Sequence, residues 1–239
     1  MIKHIVSTLL GAFLLTGSVH GQISNGNFST GLAGWTSTGD VGVRDGGAFL
    51  TTADIGETPN KNFFSANTVG SFGATGLEGF SSLVDGRLDP DLANSIVAFE
   101  GSALKQSGTI TAGSAVSFQW RFYTDDLTGD PNFSDYAYVV IDDGITPVVF
   151  TLATTLNATG SAAFSYNRTT NLATFNSAVY LVDTPITLSF GVVDVGDLGI
   201  ASALSVDNVA IPEPSTVVLL GLAGMVCWFY KRRRSSPAR

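Results

Sequence analysis

The sequence predicts an all-β protein: an antiparallel, jelly-roll-like β-sandwich between an N-terminal signal helix and a single C-terminal transmembrane helix. In the predicted strand at residues 114–124, positions 116–123 alternate: Val116, Phe118, Trp120 and Phe122 point one way, and Ser117, Gln119, Arg121 and Tyr123 point the other. Several more short apolar runs follow, separated by turns rich in Gly, Asp and Pro. No stretch of residues 22–211 has sustained helical periodicity, so paired strands must form the domain.

The first 21 residues are predicted to be a signal peptide. Lys3 gives a positive start, and an apolar stretch of signal-peptide length follows at residues 5–15. Val19 and Gly21 are small residues at the positions that precede a cleavage site. The chain is therefore expected to be exported, with residues 22–211 as its extracytoplasmic domain.

The predicted strands of this domain are short and separated by polar turns. They are residues 114–124, 136–142, 146–152, 176–182, 186–195 and 203–211. An Asp-Gly turn at residues 142–147 joins two of them. Residues 56–86 have little pattern beyond scattered Phe and Gly, and are expected to form long loops with short strands.

The two ends of the domain carry a further pattern. Residues 25–35 read Asn-Gly-x-Phe and then Gly-Trp, and residues 104–122 and 204–211 complete the set. This pattern resembles carbohydrate-binding modules of the jelly-roll type, which implies a sandwich with a polysaccharide ligand. In such modules a Glu of the first strand and an Asp of the last often bind structural calcium. Here Ser29 replaces that Glu while Asp207 remains, so the resemblance implies only half of that site.

Four aspartates lie in one predicted loop between two strands: Asp125, Asp126, Asp130 and Asp135. Clustered carboxylates and carbonyl oxygens are the ligands that calcium prefers. The domain has 19 acidic and 6 basic residues, a net charge of about −13, so a cation would relieve repulsion in the loop. The loop is a predicted calcium site, with turn stabilisation by the same side chains as the alternative. The same two interpretations apply to a second cluster, formed by Asp85, Asp89 and Asp91.

Trp35 is the candidate for contact with a sugar ring. Aromatic faces stack on the CH surface of a sugar, and Trp35 lies in a turn-rich stretch where its ring could be exposed. Trp120 falls on the apolar side of its strand and is predicted to pack in the core.

The residue inventory excludes several classes of enzyme. The only histidines, His4 and His20, lie in the signal peptide, and the only cysteine, Cys227, lies in the C-terminal tail. The exported domain therefore lacks a Ser-His-Asp triad, a thiol nucleophile, a His-bearing zinc or iron site, and a disulfide. Its acidic surface repels phosphate, so nucleic acid is not an expected partner.

Residues 212–239 are predicted to anchor the chain in the inner membrane. Residues 216–230 form an apolar run that would span about 22 Å as a helix, short of a hydrocarbon core of about 30 Å. A basic cluster follows at once: Lys231, Arg232, Arg233 and Arg234. By the positive-inside rule this cluster stays cytoplasmic, which places the acidic domain outside the membrane.

A four-residue motif precedes the apolar run: Pro212, Glu213, Pro214 and Ser215. The motif, the short apolar segment and the arginine cluster together resemble the PEP-CTERM sorting signal of exported proteins in Gram-negative bacteria that make extracellular polysaccharide. The resemblance implies that an exosortase-type enzyme recognises and removes the tail, and that the protein ends at the cell surface or in the extracellular matrix. A short helix fits such a temporary anchor.

The sequence therefore favours a non-catalytic, surface-directed protein of the exopolysaccharide or biofilm matrix, with its sandwich as a binding or structural module. The alternative is a carbohydrate-active enzyme, a carboxylate-based glycosidase or lyase, on the cell surface. Such an enzyme needs two carboxyls about 5 to 10 Å apart, one with a raised pKa, whereas the acids here lie mostly in hydrophilic turns.

Overall fold

A computed structural model describes residues 22–57, 61–127, 129–196 and 198–212. These residues form two six-stranded antiparallel sheets, which confirms the predicted all-β sandwich. The predicted signal peptide, the transmembrane segment 216–230, the motif from Glu213 onward and the basic cluster lie outside the described residues. Within the part that is described, no helix is long and apolar enough to cross a membrane.

Sheet A has the strand order β1-β5-β11-β7-β8, and β4 also pairs with β5. Its strands are β1 (Thr36–Thr38), β4 (Val69–Gly70), β5 (Ala98–Ile110), β7 (Tyr136–Asp142), β8 (Val148–Thr154) and β11 (Thr184–Val195). Sheet B has the order β10-β6-β12-β3-β2, and β9 also pairs with β6. Its strands are β2 (Asp40–Arg44), β3 (Gly47–Thr51), β6 (Ser117–Thr124), β9 (Arg168–Thr169), β10 (Ala173–Asn176) and β12 (Ser202–Ala210).

The main core lies between the two sheets, as the alternation in β6 predicts. Phe118 and Phe122 are fully buried there, and Trp120 packs against the same cluster, so the predicted core role of Trp120 is confirmed. Phe118 meets Phe190 of β11 edge to face, with ring centroids 4.8 Å apart. Each such ring stabilises the fold by about 1.5–3 kcal/mol through burial.

The outer face of each sheet is also partly covered by loops. On sheet A, the segment that contains the short helix α1 (Leu77–Phe80) packs Leu77 and Leu88 against Tyr138. On sheet B, Phe63 packs against Phe49 with centroids 5.2 Å apart. The described residues of this stretch, 56–57 and 61–86, therefore form loops with one short strand, as expected, and additionally one short helix.

The predicted strand at residues 176–182 is wrong. Only Asn176 belongs to a strand, because β10 ends where its partner β6 begins, at the pair Asn176–Ser117. The following residues cross from sheet B to sheet A, where β11 starts at Thr184. Tyr180 is held by backbone hydrogen bonds with Gly113 and Ser114 instead of a strand ladder.

The N-terminal Asn-Gly-x-Phe segment closes one end of the sandwich. The amide of Asn25 donates hydrogen bonds to the carbonyls of Gly31 and Ala33, which stabilise a tight loop. Gly26 lies directly on β12: its carbonyl accepts the Val209 N–H at 2.9 Å, and a Cβ at Gly26 would meet the Val209 carbonyl oxygen at 1.8 Å. The glycine is therefore required by close backbone packing.

Candidate binding groove on sheet B

A groove of about 260 Å³ lies on the outer face of sheet B. Its base is set by strand register, because β6 and β12 place Gln119 beside Asp207 and Arg121 beside Ser205. Side chains alternate along a strand, so these residues point away from the core that Phe118 and Phe122 fill. The groove is thus built mainly on paired strands, which hold side chains more precisely than loops.

Aromatic rings form the floor of this groove. Tyr123 lies 5.5 Å from Phe49 and 5.4 Å from Phe164, measured between ring centroids. Burial raises the pKa of Tyr123, although hydrogen bonds with Ser205 and Arg121 oppose the shift. The Tyr123 hydroxyl therefore stays protonated at neutral pH. Phe164 is half-buried and forms one wall of the groove.

Arg44 enters the groove from the end of β2 and is held by two aromatic rings. Its guanidinium lies 4.2 Å from the ring centroid of Phe63 and 4.6 Å from that of Phe164. Contacts of this kind are worth about 0.5–1 kcal/mol at exposed sites and more where water is excluded. Asp45 adds only a long contact, 4.0 Å from its Oδ2 to the Nε of Arg44.

Asp40 positions the loop that carries Phe63. It is fully buried, and its carboxylate accepts the backbone N–H groups of Phe63 and Phe64, each at 2.8 Å. The same carboxylate accepts the Thr51 hydroxyl at 2.7 Å. Charge-assisted hydrogen bonds of this kind are among the stronger ones in proteins. Asp40 thereby fixes one side of the aromatic pair that holds Arg44.

The groove concentrates the few cations of an acidic domain. Arg44 and Arg121 are two of only six basic residues between positions 22 and 211. The buried Nε of Arg121 has no hydrogen-bond partner among the residues that the structure describes. Asp45 and Asp207 complete the charged lining. Guanidinium and carboxylate groups are planar and fork-shaped, so this lining suits a ligand with paired oxygen atoms.

The sequence predicts the orientation of three of the side chains that line this groove. The alternation of β6 places Gln119, Arg121 and Tyr123 together on the face opposite the core, and the structure confirms that placement. The positions of Arg44 and Phe164 in the groove could not be predicted in this way, because these residues belong to segments far apart in sequence.

The ring of Trp35 is buried, so the expectation that it is exposed to a sugar is wrong. It is only 8% exposed and packs against Phe28 and Phe190, with ring centroids 5.3 and 5.9 Å away. Its indole N–H donates to the carbonyl of Asn25 at 3.2 Å. The Gly-Trp motif therefore anchors the N-terminal loop in the core, since a buried indole stabilises the fold when its N–H is satisfied.

The four aspartates of the predicted calcium loop make separate contacts. Asp125 pairs with Lys61 at 3.2 Å and accepts the Asn167 N–H at 2.9 Å. Asp135 is buried and accepts the Val195 N–H at 3.0 Å and the Ser202 hydroxyl. These two carboxylates have structural roles.

Asp130 caps the short 3-10 helix Pro131–Phe133 by accepting the Asn132 N–H at 2.9 Å, and Asp126 is buried. Across the described ranges, no group of three or more Asp, Glu, His or Cys side chains is arranged to hold a metal ion. Calcium binding by this loop stays a prediction.

The second acidic cluster stabilises turns. Asp85 accepts the Gly73 N–H at 3.0 Å, and Asp89 accepts the Ala98 N–H at 2.9 Å. Asp91 caps the 3-10 helix Leu92–Asn94. Each carboxylate serves a different segment, in line with the turn interpretation.

A second cavity, of about 400 Å³, lies at the outer edge of sheet A between β7, β8 and two loops. Several of its polar groups already have protein partners. The Tyr136 hydroxyl donates to the Leu88 carbonyl, and the Ser134 hydroxyl lies 2.9 Å from that of Thr155.

Comparison with known proteins identifies the C-terminal segment. Residues 210–234 match the family model of the PEP-CTERM protein-sorting motif. No curated protein matches the chain.

Several solved structures are similar over most of the chain. A structure described under "CBM4 structure and function" has 10% identity and a TM-score of 0.36, and covers 77% of this chain and 98% of its own. TmCBM61 in complex with β-1,4-galactotriose has 14% identity and a TM-score of 0.37, covering 82% and 99%. A non-crystalline cellulose-specific module, CBM28, has 10% identity and a TM-score of 0.39, covering 80% and 95%.

Likenesses at these TM-scores do not bear on what this chain binds. The sorting motif is the firm identification, and it starts at Ala210, the last residue of β12. The chain therefore carries a PEP-CTERM sorting motif at residues 210–234, immediately after its β-sandwich.

Proposed function

We propose that this chain is exported, sorted to the cell surface by its C-terminal motif, and uses its sandwich as a non-catalytic module that binds extracellular polysaccharide in the sheet B groove. An exosortase-type enzyme is the expected processing partner, and the exopolysaccharide or biofilm matrix is the expected destination. The sorting motif at residues 210–234 supports the destination. The groove supports the binding role.

The observation that carries the binding proposal is that planar polar side chains lie beside aromatic rings in the same groove. Gln119, Arg121 and Asp207 present planar donors and acceptors from adjacent strands, at spacings fixed by the sheet. Such groups suit the paired hydroxyls of a sugar, and the aromatic floor suits its CH face. An open groove on a sheet also admits an internal segment of a long chain.

Two carboxylates line the groove. They belong to Asp45, whose side chain is 67% exposed to water, and to Asp207, which accepts the N–H of Asn208 at 2.6 Å. The general acid of a glycosidase instead holds its proton at neutral pH, which a buried position favours. Binding without bond cleavage is therefore the activity that this geometry supports best.

One acidic cluster favours a second candidate function, a carboxylate-based glycosidase or lyase. Burial raises the pKa of Glu100, and the charges of Asp54 and Glu57 raise it further. Burial likewise raises the pKa of Glu57. A glycosidase on this scaffold would use Glu100 as its acid. The cluster is away from the groove lining, so the two functions are separable by mutation.

A glycan array probed with the exported protein tests the proposal. Wild type is expected to bind a discrete set of polysaccharides, and Q119A/R121A is expected to bind at least about tenfold more weakly because two polar contacts are lost. Arg168→Ala removes an arginine that does not line the groove and should leave binding unchanged. Release of reducing ends from these polysaccharides, abolished by Glu100→Gln, would instead support the enzyme.

A further inference from the structure

Three loops and the C-terminal exit of the domain lie at one end of the sandwich. The strand register places Ala210 beside Ser117 and Thr184 beside Ile110. The loops 111–116 and 177–183 connect those strands and are joined by backbone hydrogen bonds between Tyr180 and residues 113 and 114. The β7–β8 turn, residues 143–147, lies at this end too, because Asp142 pairs with Thr187. We call these loops, together with residues 211–212, the apolar end.

The apolar end exposes large hydrophobic side chains. Ile145 is 87% exposed and Leu181 is 86% exposed, the two highest values among the large hydrophobic residues of the described chain. Val182 is 67% exposed and Val179 is 58% exposed. Single exposed apolar residues are ordinary on protein surfaces, but several on neighbouring loops mark an interaction surface.

The membrane-directed segment leaves the domain at this same end. Pro212 follows the last strand, and the apolar run begins at residue 216. The four residue steps from Pro212 to residue 216, even fully extended, reach only about 14 Å. If the run lies in a bilayer, as its sequence predicts, the connecting residues therefore hold the apolar end within about 14 Å of the lipid surface.

Charge at this end does not explain an attraction to lipid. The three loops contain no Lys or Arg. Asp183 accepts the Ala112 N–H at 2.8 Å, and hydrogen bonds from the Ile145 and Thr146 N–H groups lower the pKa of Asp143. The acidic loop around Asp125 lies at the opposite end, where Thr124 pairs with Ser202. Any contact of the apolar end with lipid is thus hydrophobic.

We propose that the apolar end docks on the bilayer that anchors the precursor, with Ile145, Leu181 and Val182 inserted among the lipid headgroups and upper acyl chains. The inference rests on the predicted membrane segment and is independent of the groove's ligand. Docking orients the domain with its acidic end away from the membrane and holds the Pro-Glu-Pro motif at the lipid surface. Removal of the tail releases the domain, because a few side chains alone bind a membrane reversibly.

Lipid-quenching fluorescence on the full chain in vesicles tests this proposal. An environment-sensitive fluorophore is attached to V182C in a C227S background, since Cys227 is the only native cysteine. In zwitterionic vesicles that carry a doxyl-lipid quencher, strong quenching is expected. High salt should not reduce it, because the contact is hydrophobic. Flotation of the chain with the vesicles checks the anchor separately.

The decisive variant replaces the exposed apolar side chains and keeps the C-terminal membrane segment. In I145D/L181D the docking equilibrium is expected to fall at least about tenfold, with matching loss of quenching. The matched control V84D/L92D changes two exposed apolar residues elsewhere, 76% and 62% exposed, and should have no effect. Three results would overturn the proposal. They are quenching that is unchanged in I145D/L181D, quenching that high salt abolishes, and no quenching because a second copy of the chain covers the label. A full chain that fails to float would overturn it as well.

Discussion

At the scale of single residues, the buried carboxylate of Asp40 helps to set the shape of the groove. Asp40 accepts two backbone N–H groups of the loop that carries Phe63, and Phe63 in turn holds Arg44 over the groove. None of these residues was a candidate from the sequence, because an Asp in a strand gives no indication of which distant N–H groups it will meet. Their importance comes from tertiary contacts.

Calcium binding is tested at the same scale with D126N/D130N. These two residues belong to the predicted calcium site, and Asn replaces each carboxylate with an uncharged side chain of nearly the same size. A cation that binds only the folded state stabilises it by about 2.7 kcal/mol at a hundredfold excess over its Kd. For this domain, we expect calcium to raise the Tm by about 5 to 10 °C, and D126N/D130N to abolish the increase.

The calcium comparison requires magnesium at the same ionic strength, because salt alone screens repulsion among carboxylates. The matched variant D85N/D91N changes the second acidic cluster and should keep the full calcium effect. Equal shifts with calcium and magnesium, or a full shift in D126N/D130N, would mean that the loop is ordinary turn structure.

At the scale of elements, the N-terminal loop acts as a clamp on β12. Gly26 lies against the Val209 backbone, and Trp35 inserts its ring beside Phe28 and Phe190 in the core. The motif that first indicated a resemblance to carbohydrate-binding modules is therefore a packing motif in this chain. It joins the start of the domain to its last strand.

Gly26→Ala is predicted to break this clamp. The added methyl group would lie 1.8 Å from the Val209 carbonyl oxygen, so the segment must move off β12 and expose Trp35. We expect a loss of about 3 kcal/mol or more in the free energy of unfolding, measured by urea denaturation, with a red-shifted tryptophan emission. Gly70→Ala is the control, since the nearest atom to its added Cβ is 3.8 Å away and it should cost far less.

Sequence reasoning succeeded for β6, whose alternation reports which face is buried, and for β7, whose nearly continuous apolar run is buried on both faces. It failed at residues 176–182, where an apolar run resembles a strand but has no partner to pair with. A strand requires a neighbour, and the neighbour is a property of the whole sheet. The exposed side chains of that run instead form part of the apolar end.

The cluster of Glu100, Asp54 and Glu57 joins β5 to the loop after β3 and predicts a pH dependence. Burial and mutual repulsion raise the pKa of Glu100 above its ordinary 4.5, so the folded state retains its proton at a pH where the unfolded chain has released it. Stability from this group is complete below pH 4.5 and is lost as the pH rises through the raised value.

The Tm should consequently be higher at pH 5 than at pH 7.5, and Glu100→Gln should reduce that difference by removing the titrating group. Asp85→Asn, which changes a carboxylate outside the cluster, should leave it intact. A pH difference that Glu100→Gln does not alter would place its origin in the overall charge of about −13.

At the scale of the whole molecule, the sorting motif and the domain have separate tasks. The motif begins where β12 ends, so removal of the tail leaves the sandwich complete. We predict that protein recovered from the cell surface lacks residues 1–21 and Lys231 to Arg234. Intact-mass measurement checks this, and recovery of the complete tail there would instead indicate a permanent single-span membrane protein.

The orientation of the molecule follows from the same arrangement. Apolar loops lie at the end where the tail leaves, and acidic residues lie at the opposite end. The groove opens on the face of sheet B, between the two ends, so it stays accessible whether the domain is anchored or released.

The central claim is that the groove on sheet B binds polysaccharide. Its most direct test is retention of the surface-recovered protein by the insoluble extracellular polysaccharide of the cells that produce it. The account predicts that wild type and Arg168→Ala are retained alike, that Q119A/R121A is retained at least about tenfold less, and that the polysaccharide remains uncleaved. Equal retention of Q119A/R121A and wild type, or failure of wild type to bind, would contradict it.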